Sequence, residues 1–269
     1  MYKTAVVQFK PDFLQVDANL KRIELLLTDV SADLIVLPEL VTSGYVFKTK
    51  NELDEVCEPV PEGRTFQFFK HLSKKLNSSI VYGFPEKKSD KIYNSAALLN
   101  PDGSNHIYRK THLFYREKLF FSPGDTGLTV CEAKDGIKIG MMICFDWQFP
   151  EAARALALNG AQIICHPSNL VLPWCQQAML TRSLENRVFS ITANRIGSES
   201  NGELTMNFTG QSQIVNPKGD VLTRLSADEE VIGLAEINPE LALDKSVSEM
   251  NDAFGDRRPA FYTDICKPK

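Results

Sequence analysis

Cys144, Glu39 and Lys110 are the residues whose types and placement could together do chemistry. Cys144 follows the apolar run Ile137 to Ile143, which has strand length, and precedes Pro150-Glu151. Proline suits a first helical turn, and glutamate complements the positive end of the helix dipole. A thiol where a strand gives way to a helix has a nucleophile's position, and a nearby helix start favours its thiolate. Glu39 follows a short apolar strand, Leu34 to Leu37, and Lys110 lies at the end of the second strand of a hairpin, His106 to Arg109. Singly, each has an ordinary explanation: a core cysteine, a loop glutamate, a surface lysine. Together they supply what amide hydrolysis through a thiol requires. A base takes the thiol proton, a cation meets the tetrahedral oxyanion, and an acid protonates the departing nitrogen.

The elements that must hold these groups alternate between strand and helix. Tyr2 to Phe9 reads as an opening strand. A helix from an Asp17 cap to about Val30 follows, with Leu20, Ile23, Leu26, Leu27 and Val30 at helical spacing. Residues 51–64 read as a surface loop and Thr65 to Leu76 as a helix. Ser79 to Phe84 is a strand, and Tyr93 to Leu99 with His106 to Arg109 forms a hairpin around Asn100-Pro101-Asp102-Gly103. The aromatic and charged segment 111–127 is irregular and packs over something. Beyond Cys144 come a helix to Leu158, a strand from Ala161 to Cys165, and a helix to Val188 with Met179, Leu180, Leu184 and Val188 inward. Ser190 to Arg195 is a strand, 197–210 a loop, Gln211 to Arg224 a hairpin around Asn216 to Gly219, and Val231 to Ile237 a last strand. Ala32 to Pro38 echoes Ala161 to Pro167, and the two Asn-Pro-x-Gly turns echo one another in the same order. A duplicated unit of this kind gives two face-to-face sheets with helices outside.

With 269 residues, no linker and no low-complexity run, the chain reads as one α/β domain, 1–269, with 239–269 as a C-terminal extension. Net charge is −4 and no basic cluster is present, which points away from nucleic acid and anionic membrane and toward a small-molecule partner. The first residues lack a signal-peptide layout and no apolar run reaches membrane-spanning length, so a cytoplasmic location is expected. Six irregularly spaced cysteines read as free thiols. Cys165, His166 and Cys175 lack a fourth ligand at recognisable spacing, and no metal site is expected. G-x-S-x-G, P-loop and G-x-G-x-x-G patterns are absent.

Leu37-Pro38-Glu39, Tyr108 to Phe114 (YRKTHLF) and Gly140 to Trp147 (GMMICFDW) resemble motifs of the nitrilase superfamily, the carbon–nitrogen hydrolases. The likeness continues through Phe149 to Arg154, His166 to Asn169, Leu184 to Arg187 and the tail Met250-Asn251-Asp252, and so spans nearly the whole chain in order. It implies a four-layer α-β-β-α sandwich and a homodimer or larger homo-oligomer, with 239–269 packing on a partner subunit. It also implies a general base at Glu39, an oxyanion-stabilising cation at Lys110, a nucleophile at Cys144, and a second glutamate at Glu117 that positions substrate or water. A thioester acyl-enzyme would form and be hydrolysed, with no cofactor. Tyr45, Phe120, Phe145, Trp147, Asn169 and Trp174 lie near the motifs as substrate-binding candidates. Trp174-Cys175-Gln176-Gln177 lacks the paired arginines associated with N-carbamoyl-D-amino acids, and Cys144-Phe145-Asp146-Trp147 differs from the Cys-Trp-Glu of many nitrilases. The expected activity is hydrolysis of a small amide or carbamoyl compound. An aliphatic nitrilase is the runner-up, and a non-catalytic binding or scaffold member is the reading from another class.

Overall fold

Along β1 (Tyr2–Gln8) the side chains alternate between two buried environments: Tyr2 and Val6 join one apolar cluster, Ala5 and Val7 the other. A strand that is apolar on both faces must be covered on both, and this requirement sets the layering. The computed structural model describes residues 1–267; Pro268 and Lys269, the end of the expected extension, lie outside the described residues.

The first half continues through α1 (Val16–Leu27), β2 (Leu34–Val36), α2 (Lys50–Val56), α3 (Arg64–Leu76), β3 (Ser79–Lys88), β4 (Lys91–Leu99) and β5 (Asn105–Arg109). The second half contains β6 (Val130–Glu132), β7 (Lys138–Met141), α4 (Pro150–Leu158), β8 (Ile163–Ser168), α5 (Cys175–Asn186) and β9 (Phe189–Asn194). After these come β10 (Ser198–Asn201), β11 (Leu204–Asn207), β12 (Gln213–Val215), β13 (Val221–Arg224), β14 (Val231–Ile237), β15 (Ser246–Ser248) and β16 (Asn251–Asp252).

Two six-stranded sheets result, in the orders β14-β1-β2-β3-β4-β5 and β13-β12-β9-β8-β7-β6. In the first, β1, β2 and β3 are parallel and β4 and β5 add antiparallel; in the second, β7, β8 and β9 are parallel and β12 and β13 add antiparallel. The echo seen in the sequence is therefore an echo of structure. β2 and β8 hold the same place in their sheets, and the two Asn-Pro-x-Gly turns join β4 to β5 and β12 to β13. The inner faces meet where β1 and β2 pack on β9 and β3 packs on β8. α1 and α3 cover the outer face of the first sheet, α4 and α5 that of the second, so the architecture is the four-layer α-β-β-α sandwich.

Four local expectations are corrected. Residues 51–64 are not all loop: α2 opens on a capping box in which Thr49 accepts from the Glu52 amide and the Glu52 carboxylate accepts from the Thr49 amide. That T-x-x-E signal sits at the edge of the segment. Residues 197–210 contain the β10–β11 hairpin, whose turn begins at Gly202 with φ +60, and Asn201-Gly202 is a hairpin signal. Asp17 does not cap α1; it lies in the first turn and pairs with Arg64. On α5 the buried face is Cys175, Gln176, Met179, Ser183 and Asn186, while Leu184 is exposed. Buried hydrogen bonds explain the rotation: the Gln176 amide donates to the Gly210 carbonyl, and Ser183 meets Ser190. A polar group that finds a partner inside can hold a buried position against leucine.

Beyond β14 the chain forms a 3₁₀ turn at Pro239–Ala242 and then exposes Leu241, Leu243, Val247, Met250, Phe261 and Ile265. Among the described residues, no helix is long and apolar enough to cross a membrane.

Candidate active site

Two antiparallel steps separate β5 from β3, so β5 runs in the direction of β2 and β3. Glu39, two residues beyond Leu37, and Lys110, directly after β5, thus emerge at the same edge of the first sheet. The Lys110 Nζ lies 2.7 Å from Glu39 Oε1 and 2.7 Å from Glu117 Oε1. All three side chains are buried. Glu39 Oε1 also accepts from Asn94 Nδ2 on β4 at 2.7 Å, whereas the buried Oε2 has no hydrogen-bond partner among the described residues. Glu117 sits in a 3₁₀ turn, Tyr115–Leu119; its Oε1 accepts from the Tyr45 hydroxyl at 2.6 Å and its Oε2 from the Phe114 amide at 3.1 Å.

Cys144 comes two residues after Met142, which itself follows β7 directly and donates its amide to the Cys165 carbonyl. It starts the 3₁₀ turn Cys144–Gln148 with φ 42, a left-handed conformation unfavourable for a side-chain-bearing residue. Leu40, next to Glu39, and Tyr115, near Glu117, carry positive φ as well, at 47 each. Strain at these positions persists because the surroundings hold it. The Asp146 carboxylate, fully buried, accepts from the Ile143 amide, the Tyr108 hydroxyl and the His112 backbone amide, and meets His112 Nδ1 at 2.7 Å. Asp146 thereby ties the cysteine turn to the β5 end that carries Lys110. His166 Nε2 donates to the Cys144 carbonyl at 2.9 Å; burial pushes this imidazole down to about 4, so it is neutral at ordinary pH. Asp146, His112 and His166 were missed as supporting groups. The spacing of Asp146 and His166 within the Cys144 stretch is visible, but their contacts are not.

The site's charges are strongly coupled. Burial alone would lower the Lys110 ammonium, but the carboxylates of Glu117 and Glu39 hold it well above the usual lysine range. Burial raises the Glu117 carboxyl, against the lowering influence of Lys110. Burial and then the Glu39 charge push the Cys144 thiol well above its ordinary value, with Lys110 opposing. The resting thiol is therefore protonated, contrary to the expectation of a helix-favoured thiolate. A thiol held in this state becomes nucleophilic only when a base takes its proton.

Glycine geometry locks Glu39 in place. A Cβ on Gly83 of β3 would lie 2.5 Å from the Glu39 Cα and 2.8 Å from the Leu40 amide nitrogen. Gly83→Ala is expected to cost about 1–3 kcal/mol of stability through overpacking and about 10²-fold in turnover through displacement of Glu39. Thermal melts beside turnover measurements check this; unchanged turnover would show that Glu39 does not move.

A narrow cleft opens over Cys144, lined by Phe114, Phe145, Trp147, Asn169, Leu170, Val171 and Leu172. Asn169 Nδ2 donates to the Glu39 carbonyl at 3.0 Å. Phe145, Trp147 and Asn169 are thus brought to the cysteine. Tyr45 and Phe120 instead line a second narrow cleft, beside Glu117. Trp174 is 59% exposed at the start of α5 and does not line the Cys144 cleft, because the chain between Leu172 and Cys175 turns outward there. Among the described residues, no group of three or more His, Cys, Asp or Glu is placed to hold a metal ion.

Comparison with known proteins gives the class to which this four-layer sandwich and its buried cluster belong. The chain belongs to the carbon-nitrogen hydrolase family, whose model matches residues 3–243, within the nitrilase superfamily. It is 45% identical over 265 residues to a protein named nitrilase from Pyrococcus abyssi, covering 97% of this chain and 99% of that one. It is 33% identical over 254 residues to N-carbamoylputrescine amidase of Solanum lycopersicum, covering 86% of this chain and 83% of that one. Among solved structures it resembles Saccharomyces cerevisiae Nit3, a member of branch 10 of the nitrilase superfamily, with TM-score 0.78 and 29% identity over 93% of this chain and 95% of that chain. The protein is an enzyme acting on carbon–nitrogen bonds.

Proposed function

We propose that the enzyme hydrolyses a small amide or carbamoyl compound through a Cys144 thioester. The observation that carries this reading is the buried Glu39 Oε2, without a hydrogen-bond partner among the described residues, in a cluster whose charges act on a protonated Cys144 thiol. Oε1 is already occupied by Lys110 and Asn94, so Oε2 is the oxygen left to take a proton. In the first step Glu39 accepts the thiol proton as the sulfur attacks the carbonyl carbon. The oxyanion is met by the Lys110 ammonium and the Phe145 N–H. As the second residue of a 3₁₀ turn, Phe145 has no partner for that N–H within the turn. Glu39 then returns its proton to the departing nitrogen, the C–N bond breaks, and ammonia or an amine leaves. Water, deprotonated by Glu39, attacks the thioester; the carboxylic acid is released and the thiol regains the proton. Glu117, anchored by Tyr45 and the Phe114 amide, holds Lys110 and orients the attacking water.

The residues around Cys144 favour an uncharged, short acyl group. Phe114, Phe145, Trp147, Leu170, Val171 and Leu172 offer apolar contact, and Asn169 offers the amide whose buried Oδ1 has no partner among the described residues. A second reading, an aliphatic nitrilase producing acid and ammonia, is favoured by the name of the Pyrococcus relative. The deciding experiment measures ammonia release from short aliphatic amides, carbamoyl amines and aliphatic nitriles, with Cys144→Ala as control. Turnover of amides or carbamoyl compounds above nitriles is expected. The reverse preference would establish the nitrilase. No turnover, together with no labelling of Cys144 by an electrophile, would favour a non-catalytic binding member.

A further inference from the structure

Arg195, directly after β9, is fully buried, yet it serves none of the steps above. Its Nη2 donates to Glu199 Oε2 at 3.0 Å, and its guanidinium lies over the Phe208 ring at 4.0 Å. Nε and Nη1 have no partner among the described residues. Glu199, also buried, turns its other oxygen toward the first half of the chain, where Oε1 accepts the backbone amides of Tyr45 at 2.7 Å and Val46 at 2.6 Å. The Phe208 ring meets the Tyr45 ring edge-on at 6.0 Å. Tyr45 is thus held twice, at its backbone by Glu199 and at its ring by Phe208. Its hydroxyl reaches the oxygen of Glu117 that Lys110 also contacts.

A buried carboxylate that takes two backbone amides and one guanidinium is costly to assemble merely to tie a hairpin down, since the arginine is left incompletely paired. The arrangement has a better use. We propose that Glu199, held by Arg195, is a positioning residue for Glu117: it fixes the Tyr45 backbone, and the Tyr45 hydroxyl then fixes the Glu117 carboxylate against Lys110. The proposal rests on the reading of Glu117 given above. It makes Tyr45 a support of the cluster in place of the substrate contact expected from the sequence. Arg195, just after β9, and Glu199, on the β10–β11 hairpin, thereby act on a group in the turn that follows β5.

Glu199→Ala would strand the Arg195 charge and could unfold the chain, so the test uses Glu199→Asp. This variant keeps the ion pair and withdraws the carboxylate by one methylene. It is compared with Tyr45→Phe and with the double variant, each checked for an unchanged fold by thermal melting. Glu199→Asp is expected to lower kcat by about 10- to 100-fold, as misplacement of a remote support does, with KM moving far less. The Tyr45 hydrogen bond lowers the Glu117 pKa, so losing it moves the acid limb of the pH–rate profile upward in both single variants. In the double variant the loss should equal that of Tyr45→Phe alone, because Glu199 acts through Tyr45. Multiplicative losses, or an unmoved acid limb in Glu199→Asp, would overturn the proposal and leave Glu199 a purely structural tie. A substrate-independent arm follows alkylation of the Cys144 peptide by iodoacetamide against pH. Equal displacement of this profile in the single variants, with none added in the double, is the expected result; additive displacement overturns the proposal. If the unmodified enzyme releases no ammonia from any compound, the functional reading fails, and the alkylation arm still decides the positioning role.

Discussion

Glu39→Gln is expected to lower kcat by about 10⁴-fold, the upper range for a general acid–base group, while leaving the melting temperature close to that of the unmodified protein. The structure explains why the two effects separate. Oε1 of Glu39 accepts from Asn94 and Lys110, and a glutamine carbonyl can accept from the same donors. What is lost is Oε2 as a proton acceptor. Burial, the larger of the influences that raise the Cys144 thiol, persists in the variant although the Glu39 charge does not, so the thiol still lacks a base at neutral pH and raising the pH should restore only part of the turnover. Steady-state turnover with parallel melting curves checks this. Near-full turnover in Glu39→Gln would remove Glu39 from the mechanism.

Lys110→Met is expected to show the largest loss of stability of any single change in the site, about 3–5 kcal/mol, as for other buried ion pairs deprived of one partner. Glu39 and Glu117 would face each other in a site with no solvent access and no cation between them. The loss depends on pH with a definite sign. Burial already raises the Glu117 carboxyl above its ordinary 4.5, and Lys110 is the largest influence lowering it. Without Lys110 the folded-state value rises further. A carboxyl whose folded pKa exceeds its unfolded value contributes stability below the unfolded value, and that contribution is lost as pH rises through the folded one. The deficit of Lys110→Met should therefore be smallest near pH 4 and grow toward neutrality. Urea unfolding across this range measures it, and a deficit that is constant or shrinks with rising pH would contradict the ionised cluster. Turnover should fall as well, by about 10²–10³-fold for loss of an oxyanion-stabilising group.

Much of this site was legible in residue order. Apolar runs ended just before Glu39 and Cys144 and became strands or their immediate approach, because a chain buried on both faces must be apolar along its length, whereas Lys110 was placed by the hairpin turn at Asn100 to Gly103 that sets the end of β5. The repeat of Ala32 to Pro38 in Ala161 to Pro167 survived as equivalent strands because both fill the middle of a two-sided sheet. Misreadings arose where a short polar signal competed with composition. α2 was hidden in a Glu-rich segment although Thr49 and Glu52 announced its start, and β10–β11 was hidden in a Gly- and Asn-rich one. The aromatic candidates divided according to chain path: Phe145 and Trp147 reach the cysteine, whereas Trp174 does not.

By itself the sequence determined the strand–helix alternation, the duplicated order of elements, and the residue types able to carry out acyl transfer, since these depend on local periodicity and on which side chains can give or accept a proton. Tertiary structure alone decided that Lys110 bridges two carboxylates, that one oxygen of Glu39 stays free, and that Glu199 reaches Tyr45 across 154 positions of chain. It also decided the resting state of Cys144. A helix start reads in sequence as a promise of thiolate, but burial beside Glu39 outweighs it, because desolvation and like charge depend on what surrounds an atom and not on what precedes it in the chain.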